Sequence, residues 1–138
     1  MAEMSDYNRR IIEEFRANGG TVTSHPAHDQ LLLLTTTGAK SGRLHTAPVM
    51  FTDEGDRLLV YASKAGAPTN PAWYHNLVAN PRVTVEVGAE KFEAQATVLT
   101  GEERDRLYKE QGERVPGFAE YQTKTSRVIP VVALKRVR

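Results

Sequence analysis

Apolar and polar residues alternate over 82–87, with Val83, Val85 and Val87 on one face and Arg82, Thr84 and Glu86 on the other. A period of two marks a half-buried strand. After the turn Gly88-Ala89 the alternation resumes over 90–99 through Phe92, Ala94, Ala96 and Val98, which makes the pair a hairpin. The unbroken leucines at 31–34 head a strand to Thr37 that is apolar on both faces, as expected for a strand covered on both sides or paired inside a barrel. The turn at 38–42 leads to a second strand at 44–52, in which Pro48 cannot donate a ladder hydrogen bond and predicts an edge or a bulge. Asp53-Glu54-Gly55-Asp56 is a tight turn into a third strand at 57–63, and 127–137 forms the last, with Pro130 again marking an edge. Three helices interrupt this series. Residues 5–18 carry Ser5 as a cap, Tyr7, Ile11 and Phe15 on one face, and Gly19-Gly20 as a stop. Residues 71–79 start at Pro71 and end before Asn80-Pro81, and Thr100-Gly101-Glu102-Glu103 is a capping box opening a helix to 111. Val115-Pro116-Gly117 breaks the chain. Six strands joined by short turns, with few crossover helices, predict a mainly β (α+β) fold, an antiparallel barrel with flanking helices.

The length of 138 residues means one domain, large enough to fold without a metal or disulfide staple. The absence of cysteine removes thiolate nucleophiles and zinc ribbons, and fits a reducing compartment. No apolar run approaches the roughly 20 residues of a membrane span, and the first ten residues lack the apolar core of a signal peptide. These features predict a soluble, cytoplasmic protein. The basic tail Lys135-Arg136-Val137-Arg138 leaves open peripheral contact with the inner face of the plasma membrane, without stable insertion.

A net charge of +1 says little, but its distribution says more. All 17 Asp and Glu residues lie outside 30–52, 57–85 and 121–138, about half the chain, while 10 of the 18 Lys and Arg lie within them. Core strands account for part of this. The glycine-rich loops in the first two segments could carry carboxylates at no cost, so basic, acid-free loops point to an anionic ligand. Nucleic acid is excluded as a partner, because no basic stripe lies along a helix and no finger or zipper pattern occurs.

Catalytic groups of the usual kinds are scarce. No nucleophile elbow, phosphate-loop signature or dinucleotide fingerprint is present. The one close His pair, His25 and His28, lacks a third ligand nearby, and no metal is expected. Two segments stand out. In TTTGAKSG at 35–42, the glycines let backbone N–H groups approach a phosphate, with Lys40 and Ser41 supplying charge and hydrogen bonds. A hairpin turn with exposed basic residues accounts for the same residues. In YASKAGAP at 61–68, followed by NPAWYHNL at 70–77, a strand ends in small residues against which a flat ring could lie, before a short helix carrying Trp73, Tyr74 and Asn76. Trp73 and Leu77 are four apart on one helical face, so spacing alone favours core packing for Trp73.

Taken in order, TTTGAKSG, YASKAGAP, NPAWYHNL and the terminal PGFAEYQTKTSRVIPVV resemble the deazaflavin (F420)-dependent nitroreductase family, split-β-barrel F420H2-dependent reductases, over residues 30–134. The resemblance implies a six-stranded antiparallel split barrel of the flavin-reductase, FMN-binding-like type. An N-terminal helix and tail at 1–24 would precede a deazaflavin-binding domain at 25–138. It implies coenzyme F420, its reduced form the hydride donor, with its phosphate at Ala39, Lys40 and Ser41. The strand through His45, Thr46, Ala47, Pro48, Val49 and Met50 would line it. Tyr61, Ala62, Ser63 and Lys64 would hold the ring, and Ala72, Trp73, Tyr74, His75 and Asn76 would close the pocket.

The chain departs from the pattern at Ala39 and His45, where the family often has arginine. A protonated His45 would replace part of the lost charge and make affinity pH-sensitive. Where nitroreductases carry several tyrosines, this chain has Val115, Phe118 and Tyr121, which favours planar apolar acceptors bound by Phe118 and Tyr121 over nitroimidazoles. The expected reaction is hydride transfer to quinones or α,β-unsaturated lactones and ketones, coumarin-like compounds included. Ser63 and Tyr121 would hydrogen-bond the acceptor oxygen or deliver a proton. An FMN-dependent split barrel and a non-catalytic F420-binding module are the alternatives. The chain is expected to be a monomer or a homodimer.

Overall fold

A computed structural model describes residues 6–23 and 30–137. Helix α1 (Asp6–Ala17) precedes β1 (Leu31–Thr37), β2 (Leu44–Asp53) and β3 (Leu58–Tyr61). A 3-10 turn at Lys64–Gly66 and α2 (Ala72–Ala79) lead to β4 (Arg82–Val87) and β5 (Glu90–Leu99). Helices α3 (Gly101–Arg114) and α4 (Pro116–Thr123) precede β6 (Val131–Arg136). All pairings are antiparallel, and the strands close a barrel in the order β1-β2-β3-β6-β5-β4.

The leucine run does the work its pattern implies. Leu32 and Leu34 point into the barrel with Val60, Val85 and Val132, while Leu31 and Leu33 point outward and are covered by Ile11, Ile12 and Phe15 of α1. All four are at most 2% exposed, and each such burial contributes about 2 kcal/mol. A third cluster joins Tyr61, Leu107, Tyr108, Phe118 and Ile129 beneath α3 and α4.

Pro48 pairs with Leu33 of β1, but β2 meets β3 only from Phe51 to Asp53. The first half of β2 is therefore paired on one side, and a proline there costs the β2–β3 ladder nothing. Pro130 lies just before β6, where its carbonyl accepts from the Ala62 N–H at 3.0 Å.

Several expectations need correction. Pro116 opens α4 rather than breaking the chain, because its missing N–H falls in the first turn, where it would have no partner. The last strand starts at 131, not 127, and the third ends at 61, not 63. Thr100 makes no side-chain capping bond. Glu103 accepts instead from Arg57 Nη2 at 3.0 Å, so the capping box does not form. Tyr7 is 48% exposed, and Ile12 takes its place on the buried face of α1. Ser5 and the pair His25 and His28 lie outside the described residues.

Candidate functional site

The turn after β1 is built on two backbone bonds, Gly38 N–H to the Arg43 carbonyl at 2.7 Å and Gly42 N–H to the Gly38 carbonyl at 3.0 Å. Gly42 has φ +70°, a conformation that glycine adopts without strain. At Gly38 the constraint is space, since a Cβ would sit 2.5 Å from Ser41 Oγ and 3.1 Å from His45 Nε2. The glycine thus leaves room for two polar side chains to gather over the backbone.

Helix α2 packs against this turn through Asn76, which is 9% exposed. Its Oδ1 accepts from the Ala39 N–H at 3.0 Å and its Nδ2 donates to Thr36 Oγ1 at 3.1 Å. Asn80 Nδ2 adds a bond to the Thr37 carbonyl at 3.3 Å. Asn76 and the Ala39 amide therefore bond to each other, and Asn76 holds the turn in place. Among the described residues, the backbone amides of Lys40 and Ser41 make no hydrogen bond within the chain. Ser41 Oγ accepts from Arg43 N–H at 3.2 Å, which leaves its proton available to an acceptor.

Between turn and helix lies an open cleft of about 1170 Å³. Lys40, Ser41, Arg43 and His45 line one side, Ala72, Trp73, His75 and Asn76 the other, with Thr36 and Ala47 also on its walls. Among the described residues, no Asp or Glu lines it. Cations, hydroxyls and turn amides suit acid groups, and Trp73 with Ala47 suits a flat ring, so this donor set fits a deazaflavin carrying phosphate.

Strand geometry divides the run 45–50. His45 and Ala47 face the cleft, and Val49 follows them into the barrel interior, 7% exposed. Thr46, Pro48 and Met50 point to the opposite face, where Thr46 Oγ1 meets Thr35 Oγ1 at 2.8 Å and Met50 packs against the clusters of α1 and α3. Tyr74 is half-buried against the barrel core.

A second locus forms where β3 ends. Tyr61 and Ala62, 4% and 0% exposed, are part of the packing, and the Tyr61 hydroxyl donates to Thr52 Oγ1 at 3.0 Å. Burial raises the Tyr61 pKa above the usual tyrosine value, with the Thr52 hydrogen bond opposing it. Phe118 is 6% exposed, its ring 5.4 Å from that of Tyr61 and 5.5 Å from that of Tyr121, so it packs in the cluster beneath α3 and α4. Ser63, Lys64 and Tyr121 reach solvent here. Lys64 holds a left-handed backbone at φ +46° and donates through Nζ to Thr69 Oγ1 at 3.3 Å. Gly66, φ +81°, lies so close to α4 that a Cβ would be 2.8 Å from the Tyr121 carbonyl oxygen.

Sequence reasoning missed Arg127. Its guanidinium donates to the carbonyls of Ala62 at 3.0 Å, Ser63 at 2.7 Å and Ala67 at 2.9 Å, and to Asn70 Oδ1 at 2.8 Å. Its one sequence signal was a place inside the terminal motif. Burial pulls its pKa below the usual arginine value.

The family described as F420H(2)-dependent quinone reductase matches residues 7–136. The chain is 39% identical over 126 residues to an F420H(2)-dependent quinone reductase of Mycobacterium tuberculosis, covering 88% of this chain and 85% of that one. A solved F420-H2-dependent reductase, FDR-A, is 44% identical with a TM-score of 0.70, covering 77% of this chain and 94% of its own. A second solved structure, described as a domain-swapped dimer, is 40% identical with a TM-score of 0.72 over 92% of this chain and 96% of its own. A pyridoxamine 5'-phosphate oxidase-like protein of Listeria innocua, 15% identical at a TM-score of 0.58, shares the fold alone. The six-stranded barrel is therefore that of the F420H2-dependent split-barrel reductases, and the chain belongs to the F420H(2)-dependent quinone reductase family, oxidoreductases that draw their hydride from reduced coenzyme F420.

Proposed function

We infer that the carboxylate-free cleft beside the glycine turn is the F420 site, and that the acceptors are quinones together with planar α,β-unsaturated lactones and ketones, coumarin-like compounds included. The observation that carries this is the lining itself: Lys40, Ser41 and open backbone amides on one side, Trp73 on the other, and, among the described residues, no acidic one between. Lys40 and Ser41 would hold the acid groups of the cofactor by charge-assisted hydrogen bonds, each worth about 1.5–3 kcal/mol. Trp73 and Ala47 would hold the apolar ring. Reduced F420, when bound, supplies a hydride.

The acceptor then gains two electrons and one hydrogen, and its oxygen must take a proton. Ser63 and Tyr121, which reach solvent at the second locus, would hydrogen-bond that oxygen or pass a proton from water. Tyr121 is the one hydroxyl among Val115, Phe118 and Tyr121, so with Ser63 the locus would offer an apolar acceptor few polar anchors. Discrimination among planar acceptors then rests on shape and amounts to about 1–3 kcal/mol, which fits a broad rather than a narrow range.

No described helix is long and apolar enough to cross a membrane. We infer also that the chain can form homodimers, supported by the relative described as a domain-swapped dimer and by the one-sided first half of β2. Light scattering of the purified chain at several concentrations decides that point.

The catalytic test follows the loss of F420H2 absorbance as acceptors are added. The reading predicts saturable oxidation with a quinone and with an unsaturated lactone, slowed by Tyr121→Phe with little change in F420 affinity. Saturable F420 binding without acceptor-dependent oxidation would leave a binding protein in its place.

A further inference from the structure

The loop 62–70 is constrained beyond what its length requires. Lys64 sits at φ +46°, which a residue with a side chain rarely adopts, and such strain persists only where the surroundings over-determine it. Two short bonds shape the turn from within, Gly66 N–H to the Ser63 carbonyl at 2.9 Å and Ala67 N–H to the Lys64 carbonyl at 3.0 Å. Besides the close approach of Gly66 to α4, the surrounding restraint comes chiefly from one side chain. Arg127 holds the carbonyl before Lys64, that of Ser63, and one after it, that of Ala67, and ties both to Ala62 and Asn70.

Arg127 is itself fastened to α4, since Gln122 Nε2 donates to its carbonyl at 2.7 Å. Gln122 Oε1 in turn accepts from Arg104 Nη2 at 2.6 Å and Ile129 N–H at 3.1 Å. Among the described residues, no carboxylate pairs with the Arg127 guanidinium. Its charge is partly withdrawn from water and is met by neutral acceptors, one of them the Ser63 carbonyl.

We propose that Arg127 is a positioning residue: it locks the 62–70 loop to α4, so that Ser63 and Lys64 on one side and Tyr121 on the other keep a fixed relation, and F420 and acceptor meet a preformed site. The proposal rests on the reading of this chain as an F420-binding reductase. Lysine cannot replace this arrangement, because an ammonium group lacks the planar fork that spans four acceptors.

The test compares the full chain with Arg127→Lys, Asn70→Ala and Lys40→Ala. Each is measured by thermal melting, by amide hydrogen exchange without ligand, and by fluorescence titration with oxidised F420. Arg127→Lys is expected to stay folded, to raise exchange across 62–70 by about tenfold or more, and to weaken F420 binding by about tenfold. Asn70→Ala removes one of the four contacts and should move both readouts the same way by less. Lys40→Ala should weaken binding while leaving exchange of 62–70 unchanged, which separates loss of a ligand contact from loss of the lock. If Arg127→Lys does not fold, Asn70→Ala carries the test alone. Unchanged exchange across 62–70, or raised exchange with unchanged affinity, would overturn the proposal. Failure of the wild-type chain to bind F420 would overturn the functional reading instead, and the exchange comparison, which needs no ligand, would still decide the lock.

Discussion

The two loops to which cofactor binding is assigned by proposal are built on opposite plans. The glycine turn at 38–43 is exposed and hangs from the body of the protein by Asn76 and two internal backbone bonds. The loop at 62–70 is tied by four bonds from Arg127, carries a strained Lys64 and packs without clearance against α4. The turn leaves amides and side chains for a ligand, so its chemistry reads directly from its residues. The loop directs its backbone groups inward, so its contribution is shape. A site that must grip flexible acid groups and also align a flat ring needs both plans.

The contrast is broken most severely at Gly66. Gly66→Ala places a methyl 2.8 Å from the Tyr121 carbonyl oxygen at φ +81°, and should cost about 3 kcal/mol from overpacking and backbone strain together. Thermal or denaturant unfolding measures it. Gly42→Ala, at φ +70° with nothing within 4 Å, serves as the control and should cost about 1 kcal/mol from backbone strain alone. Equal losses would remove the distinction between a packed loop and an open turn.

Asn76→Ala comes next. It leaves the Ala39 N–H and the buried Thr36 hydroxyl without their partner, a loss of about 2 kcal/mol. It should lower Tm by several degrees and weaken F420 binding through the displaced turn. Lys40→Ala should leave Tm unchanged, because the side chain is exposed, and weaken F420 binding by about tenfold, the size of one charge-assisted hydrogen bond.

One effect shows only in alkali. Tyr108, buried under α4 and hydrogen-bonded to the Phe118 carbonyl, has its pKa pushed up from 10.0 to about 12 by burial. The folded state resists ionisation, so stability is full below pH 10 and falls as the pH rises toward about 12. Denaturant melts across that range should show the decline, and Tyr108→Phe should flatten it.

Legibility followed the same division. The β4–β5 hairpin was read to its boundaries, because alternation and the Gly88 turn are both local signals. The leucines of β1 announced burial on two faces, and the cleft residues Lys40, Ser41 and Trp73 stood in motifs with recognisable chemistry. Helix α4 was hidden because Pro116-Gly117 reads as a break until a helix is seen to start there. The roles of Asn76, Phe118 and Arg127 were hidden for a different reason. Each is set by partners 10 to 65 residues away, and nothing in a neighbouring residue signals them. A continuous motif at 45–50 does not reveal that strand alternation divides it between the cleft, the barrel interior and the opposite face.

The central claim is that the acid-free cleft beside the glycine turn is where F420 binds. Fluorescence titration of the purified chain with oxidised F420, with FMN in parallel and Lys40→Ala as the variant, tests it most directly. The account predicts saturable binding of F420 in preference to FMN, weakened about tenfold by the loss of Lys40. Preference for FMN, or F420 binding indifferent to Lys40, would contradict it.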